Sequence, residues 1–210
     1  MMPAHDRFEI HLTVDAAEAA ACADVLSRFA DARGMQLLQI ELARGIAPVQ
    51  PMLSWRRDGD LADCLAQIDD VERVLAGHGI RVVRTKVEAA PSNAGEPQAG
   101  DVCPAGTYFE SHLKLLLGSD ADVGILTELA IAHGAHVSRN ARRTRGDGCQ
   151  ERFVTLRSTS GGLPGMMLRL QALQDALTPM VRAVLDTEIE FVVHDSNRAL
   201  DAGWLPGEMA

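Results

Sequence analysis

Phe8-Glu9-Ile10-His11-Leu12-Thr13-Val14 returns later in the chain as Phe109-Glu110-Ser111-His112-Leu113-Lys114-Leu115, with four of seven positions identical at an offset of 101. The offset persists beyond this segment. Gly34 answers to Gly134, Arg56 to Arg157, and Thr85-Lys86-Val87-Glu88 to Thr187-Glu188-Ile189-Glu190, a drift only between 100 and 102. One shared heptad can arise by chance, but ordered anchors at a nearly constant spacing read as one unit written twice.

The local signals repeat in step. Phe8 to Val14 alternates apolar and polar residues, the mark of a half-buried strand. Asp15 with Glu18 makes a capping-box start. Cys22, Val25, Leu26 and Phe29 then follow at helical spacing before Gly34 stops the helix. Residues 35–42 and 52–55 read as strands, and Leu61, Cys64, Leu65, Ile68, Val71 and Leu75 form a second apolar stripe. Ile80 to Glu88 is a fourth strand. In the second half, strands are expected at 108–116, 136–142, 152–157 and 183–193, with helices at 122–132 and 164–177. The order βαββαβ is that of a ferredoxin-like unit, an antiparallel sheet with both helices on one face. The expected architecture is therefore α+β, with tandem duplicated ferredoxin-like units related by a pseudo-two-fold axis. Residues 1–90 form the first repeat, 91–106 a Pro/Gly-rich linker, 107–194 the second repeat and 195–210 a C-terminal tail. Face-to-face and side-by-side packing of the repeats both fit this reading.

Composition narrows the function. At 47% hydrophobic residues the 210-residue chain can bury a core, and a net charge of -9 argues against bulk nucleic-acid or anionic-membrane binding. Without a signal-like N-terminus or a membrane-spanning apolar run, a cytoplasmic protein is expected. The four cysteines lack a C-x-x-C pair and read as reduced thiols, not as a zinc site or a disulfide frame.

Strand alternation then selects the residues of interest. If Phe8, Ile10, Leu12 and Val14 face the helices, Glu9, His11 and Thr13 share the open face, as do Glu110, His112 and Lys114 in the second half. Neighbouring strands add Arg56, Lys86 and Glu88 in one half, and Arg157, Glu188 and Glu190 in the other. Cross-strand ion pairs of this kind commonly do no more than solubilise an exposed face. Central-strand charges shut between two units would instead compose a polar site. On that second view His11 and His112 are candidate acid/base groups, since histidine titrates near neutrality. Glu9 and Glu110 orient them or hold a metal. Lys114, Arg56, Arg157 and Lys86 neutralise substrate charge. Arg139, Arg142 and Arg143, in a basic hairpin that also holds Arg145, are candidate anion ligands. The hairpin charges are equally explained as solvating. Two glutamates and two histidines are compatible with a divalent metal, although no spacing indicates one. Asp195-Ser196-Asn197 reads as a turn and Trp204 as a tail anchor.

The motif set F-E-x-H-L, S-R-N-A-R-R, E-R-F-V-T-x-R, D-S-N and L-D-x-G-W resembles a bacterial protein family of uncharacterised function, over nearly the whole chain. Glu110-Ser111-His112-Leu113-Lys114 is similar to the E-x-E-x-K opening of triphosphate tunnel enzymes, with His112 in place of the middle glutamate. That replacement puts metal binding of their type in doubt. His11-Leu12-Thr13 resembles the H-x-[ST] motif of two-histidine phosphoesterases, which His112-Leu113-Lys114 does not match. RNA-recognition folds need aromatics where this chain carries Glu, His, Thr and Arg. The first two resemblances imply phosphate chemistry. The expected function is an enzyme acting on a small anionic, phosphorylated molecule between the repeats, by phosphoester hydrolysis or transfer. The alternative is a non-catalytic ligand-binding or assembly module, for which a homodimer is compatible.

Overall fold

The structure is a computed structural model describing residues 6–90 and 102–203. Its elements follow in order as β1 (Asp6–Val14), α1 (Ala16–Ala21), α2 (Ala23–Arg33), β2 (Gln36–Leu42), β3 (Val49–Gly59), α3 (Leu61–Gly77) and β4 (Val82–Ala89). The second half has β5 (Tyr108–Leu117), α4 (Val123–Ala132), β6 (Ala135–Asn140), β7 (Gln150–Ser158), α5 (Gly162–Leu177) and β8 (Ala183–Asp195). The local chemistry accounts for the boundaries. Asp15 accepts hydrogen bonds from the backbone N–H groups of Ala17 and Glu18 at 3.0 and 3.1 Å, which starts α1. The helix expected to run unbroken to Gly34 is instead two, because Cys22 leaves helical geometry at φ -115°, ψ 28°. Gly34 ends α2 in the left-handed region at φ 65°, and Gly134 follows α4 at φ 69°. At both positions a side chain would be strained.

The eight strands of the described residues belong to one antiparallel sheet closed on itself in the order β1-β3-β2-β6-β7-β5-β8-β4. Within the first half the strands run β4-β1-β3-β2, and within the second β8-β5-β7-β6, so the first and third strands of each half are central as expected. The registers match position by position. Glu9 sits opposite Arg56 and Glu88, and Glu110 sits opposite Arg157 and Glu190. Even the irregularity recurs, between Thr13 and Val14 in β1 and between Lys114 and Leu115 in β5.

The expectation of two separate sheets is corrected by two seams. β2 pairs with β6 through Ile40–Asn140, Glu41–Arg139 and Leu42–Ser138, and β4 pairs with β8 from Lys86–Asp195 to Ala89–Phe191. The halves therefore lie side by side, and each open face curls to look at the other. Edge strands leave unpaired N–H and C=O groups, and closure satisfies them.

The helices pack outside the barrel on two apolar cores. Phe8, Ile10, Leu12 and Val14 meet Leu26, Phe29, Ile68 and Leu75 in one, and Phe109, Leu113 and Leu115 meet Leu126, Met166 and Leu173 in the other. No helix of the described residues is long and apolar enough to cross a membrane.

One end of the barrel is shut by the chain that follows β8. The Asp195-Ser196-Asn197 triplet read as a simple turn is built into the sheet. Asp195 is its last strand residue, the Ser196 hydroxyl accepts from the Thr85 N–H, and the Asn197 amide donates to the Val83 carbonyl. Asp201 then reaches back to take Arg84 at 2.9 Å and Arg157 at 2.7 Å, with its side chain 1% exposed. Trp204 lies outside the described residues. Removing one partner of a buried ion pair leaves the other charge uncompensated, at a cost of about 3–5 kcal/mol. Asp201→Asn is thus expected to lower the unfolding free energy in a urea titration by about that much. Arg139→Ala, which breaks an exposed pair with Glu41, is expected to cost less than about 1 kcal/mol. Equal effects would show that the shut end is not held by its ions.

Candidate functional site

Closure turns the two polar faces into the lining of a cavity of about 410 Å³. Glu9, His11 and Thr13 from β1 and Glu110, His112 and Lys114 from β5 all face into it, while their apolar neighbours face the helices. The two ends differ. At the shut end Arg84, Asp195 and Asp201 are almost fully buried, whereas at the other Arg56 and Glu188 have side chains 63% and 47% exposed and mark the mouth.

The centre of the cavity is an ionic network. The Lys86 ammonium lies 2.6 Å from a carboxylate oxygen of Glu88 and 2.6 Å from one of Glu110. Glu88 turns its other oxygen to His11 Nε2 at 2.7 Å. Glu110 turns its other oxygen to Arg157, whose Nε and Nη2 donate at 3.0 and 2.7 Å. His112 Nδ1 is 2.9 Å from the Thr155 hydroxyl, which leaves Nε2 between Glu110 at 3.6 Å and Glu190 at 3.7 Å.

Burial and pairing divide the carboxyls into two kinds. Burial alone would lower the Lys86 ammonium, but Glu110 and Glu88 outweigh it and hold it well above its ordinary value. Burial would likewise raise Glu88 and Glu110. Lys86 reverses this for both, helped by His11 on Glu88 and Arg157 on Glu110, and both are held well below the usual carboxylate range. Glu190 goes the other way. Burial beside the Glu88 charge pushes its carboxyl up to about 11, so it keeps its proton. One buried acid thus stays protonated among ionised ones, a pattern typical of acid/base sites.

The structure distributes the residues named from sequence unevenly. His11, His112, Glu9, Glu110, Lys114, Arg56, Lys86 and Arg143 line one cavity, and Arg157 sits just behind Glu110. The orienting roles shift. Glu9 is committed to the Ser54 hydroxyl at 2.9 Å and Arg56 at 2.7 Å and lies 3.9 Å from His11, so Glu88 is the carboxylate that orients His11. Two hairpin arginines fall outside. Arg139 points away from the cavity to Glu41 across the β2–β6 seam, and Arg142 is exposed beyond the end of β6. Arg145 is tied to Asp147 and Glu151.

Several residues escaped the sequence reading. Tyr108 is fully buried, donates to Asp195 at 2.6 Å and stacks under Arg157 at 4.2 Å. His136 faces inward near the shut end against Arg44, and burial with the Arg44 charge pushes it down to about 3, so it is neutral. Glu190 was legible as a face residue, but its retained proton needs the closed barrel.

Glu88, Glu110 and His112 are the group among the described residues that could hold a divalent ion, with ligand atoms all within 4.8 Å of one another. The donor set is chemically apt, but the Lys86 ammonium already occupies the angle between the two carboxylates. An ion there would have to displace it.

No protein-family model matches the chain, and no curated protein sequence matches it either. Among solved structures, a chlorite dismutase variant from Candidatus Nitrospira defluvii aligns with 89% of this chain and 90% of its own at 11% identity and a TM-score of 0.30. A candidate monooxygenase from Lactobacillus acidophilus NCFM aligns over 96% and 99% at 10% identity and a TM-score of 0.29. Likenesses this weak establish no chemistry for this chain.

The protonated Glu190 makes a prediction with a definite sign. Unfolded, the carboxyl titrates near 4.3, and folded it titrates far higher, so between these values the native state binds the extra proton and loses stability as pH rises. Glu190→Gln mimics the protonated acid and removes this dependence. The variant is expected to melt at a higher temperature than the parent at pH 8, by roughly 2–4 °C per kcal/mol gained. The advantage should shrink toward pH 4. A gap that is constant with pH would show that Glu190 is ionised in the folded protein.

Proposed function

We propose that the barrel takes a small anionic molecule, a phosphate ester foremost, through its open end and catalyses phosphoester hydrolysis or transfer there. The observation that carries this is the convergence of Lys114, Arg143 and Arg56 on the cavity that also holds His112 beside the protonated Glu190. The cations neutralise the substrate as charge develops on its oxygens. His112 Nε2 faces the cavity and is placed to take a proton from an attacking hydroxyl or water, while Glu190 can give its proton to the departing oxygen. His11, locked to Glu88, serves the same cavity from the opposite half.

This reading also takes the two halves as products of a duplication, since they share a register down to the bulge. The symmetric pocket has since specialised. Thr13 corresponds to Lys114 and Lys86 to Glu188, so positive charge was moved and not simply added. Two of the three mouth cations, Lys114 and Arg143, belong to the second half, which would hold the more negative part of the ligand.

A second reading rests on the pairing itself. Glu9, Glu88 and Glu110 are each already ion-paired within the protein, as a binding barrel without turnover would require. Two measurements separate the readings. Losing one charge-assisted hydrogen bond costs about 1.5–3 kcal/mol, so Lys114→Met is expected to weaken inorganic phosphate binding roughly ten- to a hundredfold by calorimetry. Arg142→Met, outside the cavity, should have no effect. Hydrolysis of nitrophenyl phosphate mono- or diesters that is lost in His112→Asn supports the enzyme, and phosphate binding without turnover supports the second reading. Equal effects of the Lys114 and Arg142 substitutions contradict both.

A further inference from the structure

The cavity has two chemically different walls. Going round the barrel, β5, β8, β4 and β1 supply Glu110, His112, Lys114, Glu188, Glu190, Lys86 and His11. The opposite arc, β3-β2-β6-β7, is mixed: beside polar residues such as Gln36, Gln50, Asn140 and Thr155 it supplies all of the apolar lining, Met52 from β3, Leu38, Ile40 and Leu42 from β2, and Phe153 from β7. These apolar side chains belong to neither helix-backed core. Ile40 and Leu42 form a small cluster of their own inside the barrel, and Leu38, Met52 and Phe153 are half-buried with faces toward the cavity. Strand β2 carries apolar residues on both faces, since Leu37 packs on the outer core while Leu38 and Ile40 look inward. An ionic chamber serving only water and phosphate gains nothing from such a wall, and apolar surface left against water is costly. The volume points the same way. About 410 Å³ falls within the range, roughly 300–1,000 Å³, of pockets that enclose whole organic molecules. The walls meet where the Lys114 ammonium lies 6.0 Å from the centre of the Phe153 ring.

We propose that the ligand is an amphiphilic anion, an aryl or similarly compact apolar phosphate monoester. Its apolar body lies on Leu38, Ile40, Leu42, Met52 and Phe153, and its anionic group reaches Lys114 and Arg143. This rests on the anion-binding reading above and adds the class of molecule that carries the anion. The free energy of transfer scales with the apolar area removed from water, so the apolar body contributes to affinity independently of the charge.

The test compares three probes by calorimetry on the intact protein: naphthyl phosphate, glycerol phosphate and naphthol. Naphthyl phosphate is expected to bind at least tenfold more tightly than either of the others. Leu38→Gln and Met52→Gln, checked for folding by circular dichroism, are expected to erase its advantage over glycerol phosphate while leaving glycerol phosphate binding in place. Equal binding of naphthyl and glycerol phosphates would overturn this inference and leave the anion site standing. Equal binding of naphthol and naphthyl phosphate would overturn the anion site instead. The wild-type comparison decides the matter even if one of the variants does not fold.

Discussion

Lys86 stands between Glu88 of its own strand and Glu110 of the other half, and the interior is arranged around that contact. Bringing a charge out of water costs several kcal/mol even after relaxation, and it is recovered only when the remaining oxygens and protons are also satisfied. The surrounding residues meet that condition for most of the charges, although His11 Nδ1 is buried without a hydrogen-bond partner. His11 takes the second oxygen of Glu88, Arg157 takes the second oxygen of Glu110, and Asp201 holds Arg157 and Arg84 from behind. Arg56 reaches toward Glu188 and Arg84 binds Asp195, so further pairs also join residues of different halves. The two seams and the ionic interior therefore depend on each other. Without closure the charges would be solvated and the pairs weak, and without the pairs closure would bury uncompensated charge.

Glu190 is the exception that gives the interior its chemistry. It is a further inward carboxyl close to Glu88 and Glu110, and the cations nearby are already committed to those two. Keeping its proton is the cheapest way for it to remain in the barrel. A protonated acid within 3.7 Å of a histidine nitrogen, near an opening ringed by Arg56 and Lys114, is a consequence of packing that a site can use.

What could be read from the sequence was what alternation and repetition encode. The paired F-E-x-H-L strands, their inward Glu and His, and the matching Arg56 and Arg157 follow from period two and an offset near 101, and the structure orients them accordingly. Contacts between distant segments were not encoded there. Asp195 and Asp201 meet Arg84 from more than a hundred residues away, and in sequence they look like a turn and a tail. The helix break at Cys22 lies inside an unbroken stretch of helix-forming residues. Arg139 looked like a partner of the basic hairpin because nothing local announces that β2 will pair with β6 and offer Glu41. The apolar wall was hidden for a related reason: with Leu37, Leu38, Ile40 and Leu42 in one strand, hydrophobicity does not tell inside from outside.

The central claim is that both halves form one closed sheet locked by an internal ionic network. Native-state hydrogen exchange tests it most directly, because it reads each seam amide by itself. The account predicts that amides bridging β4 to β8 and β2 to β6 exchange as slowly as those bridging β1 to β3 and β5 to β7, all opening in a single cooperative unit. Seam amides that exchange rapidly while each half stays protected would contradict it, leaving two separate sheets and no enclosed site.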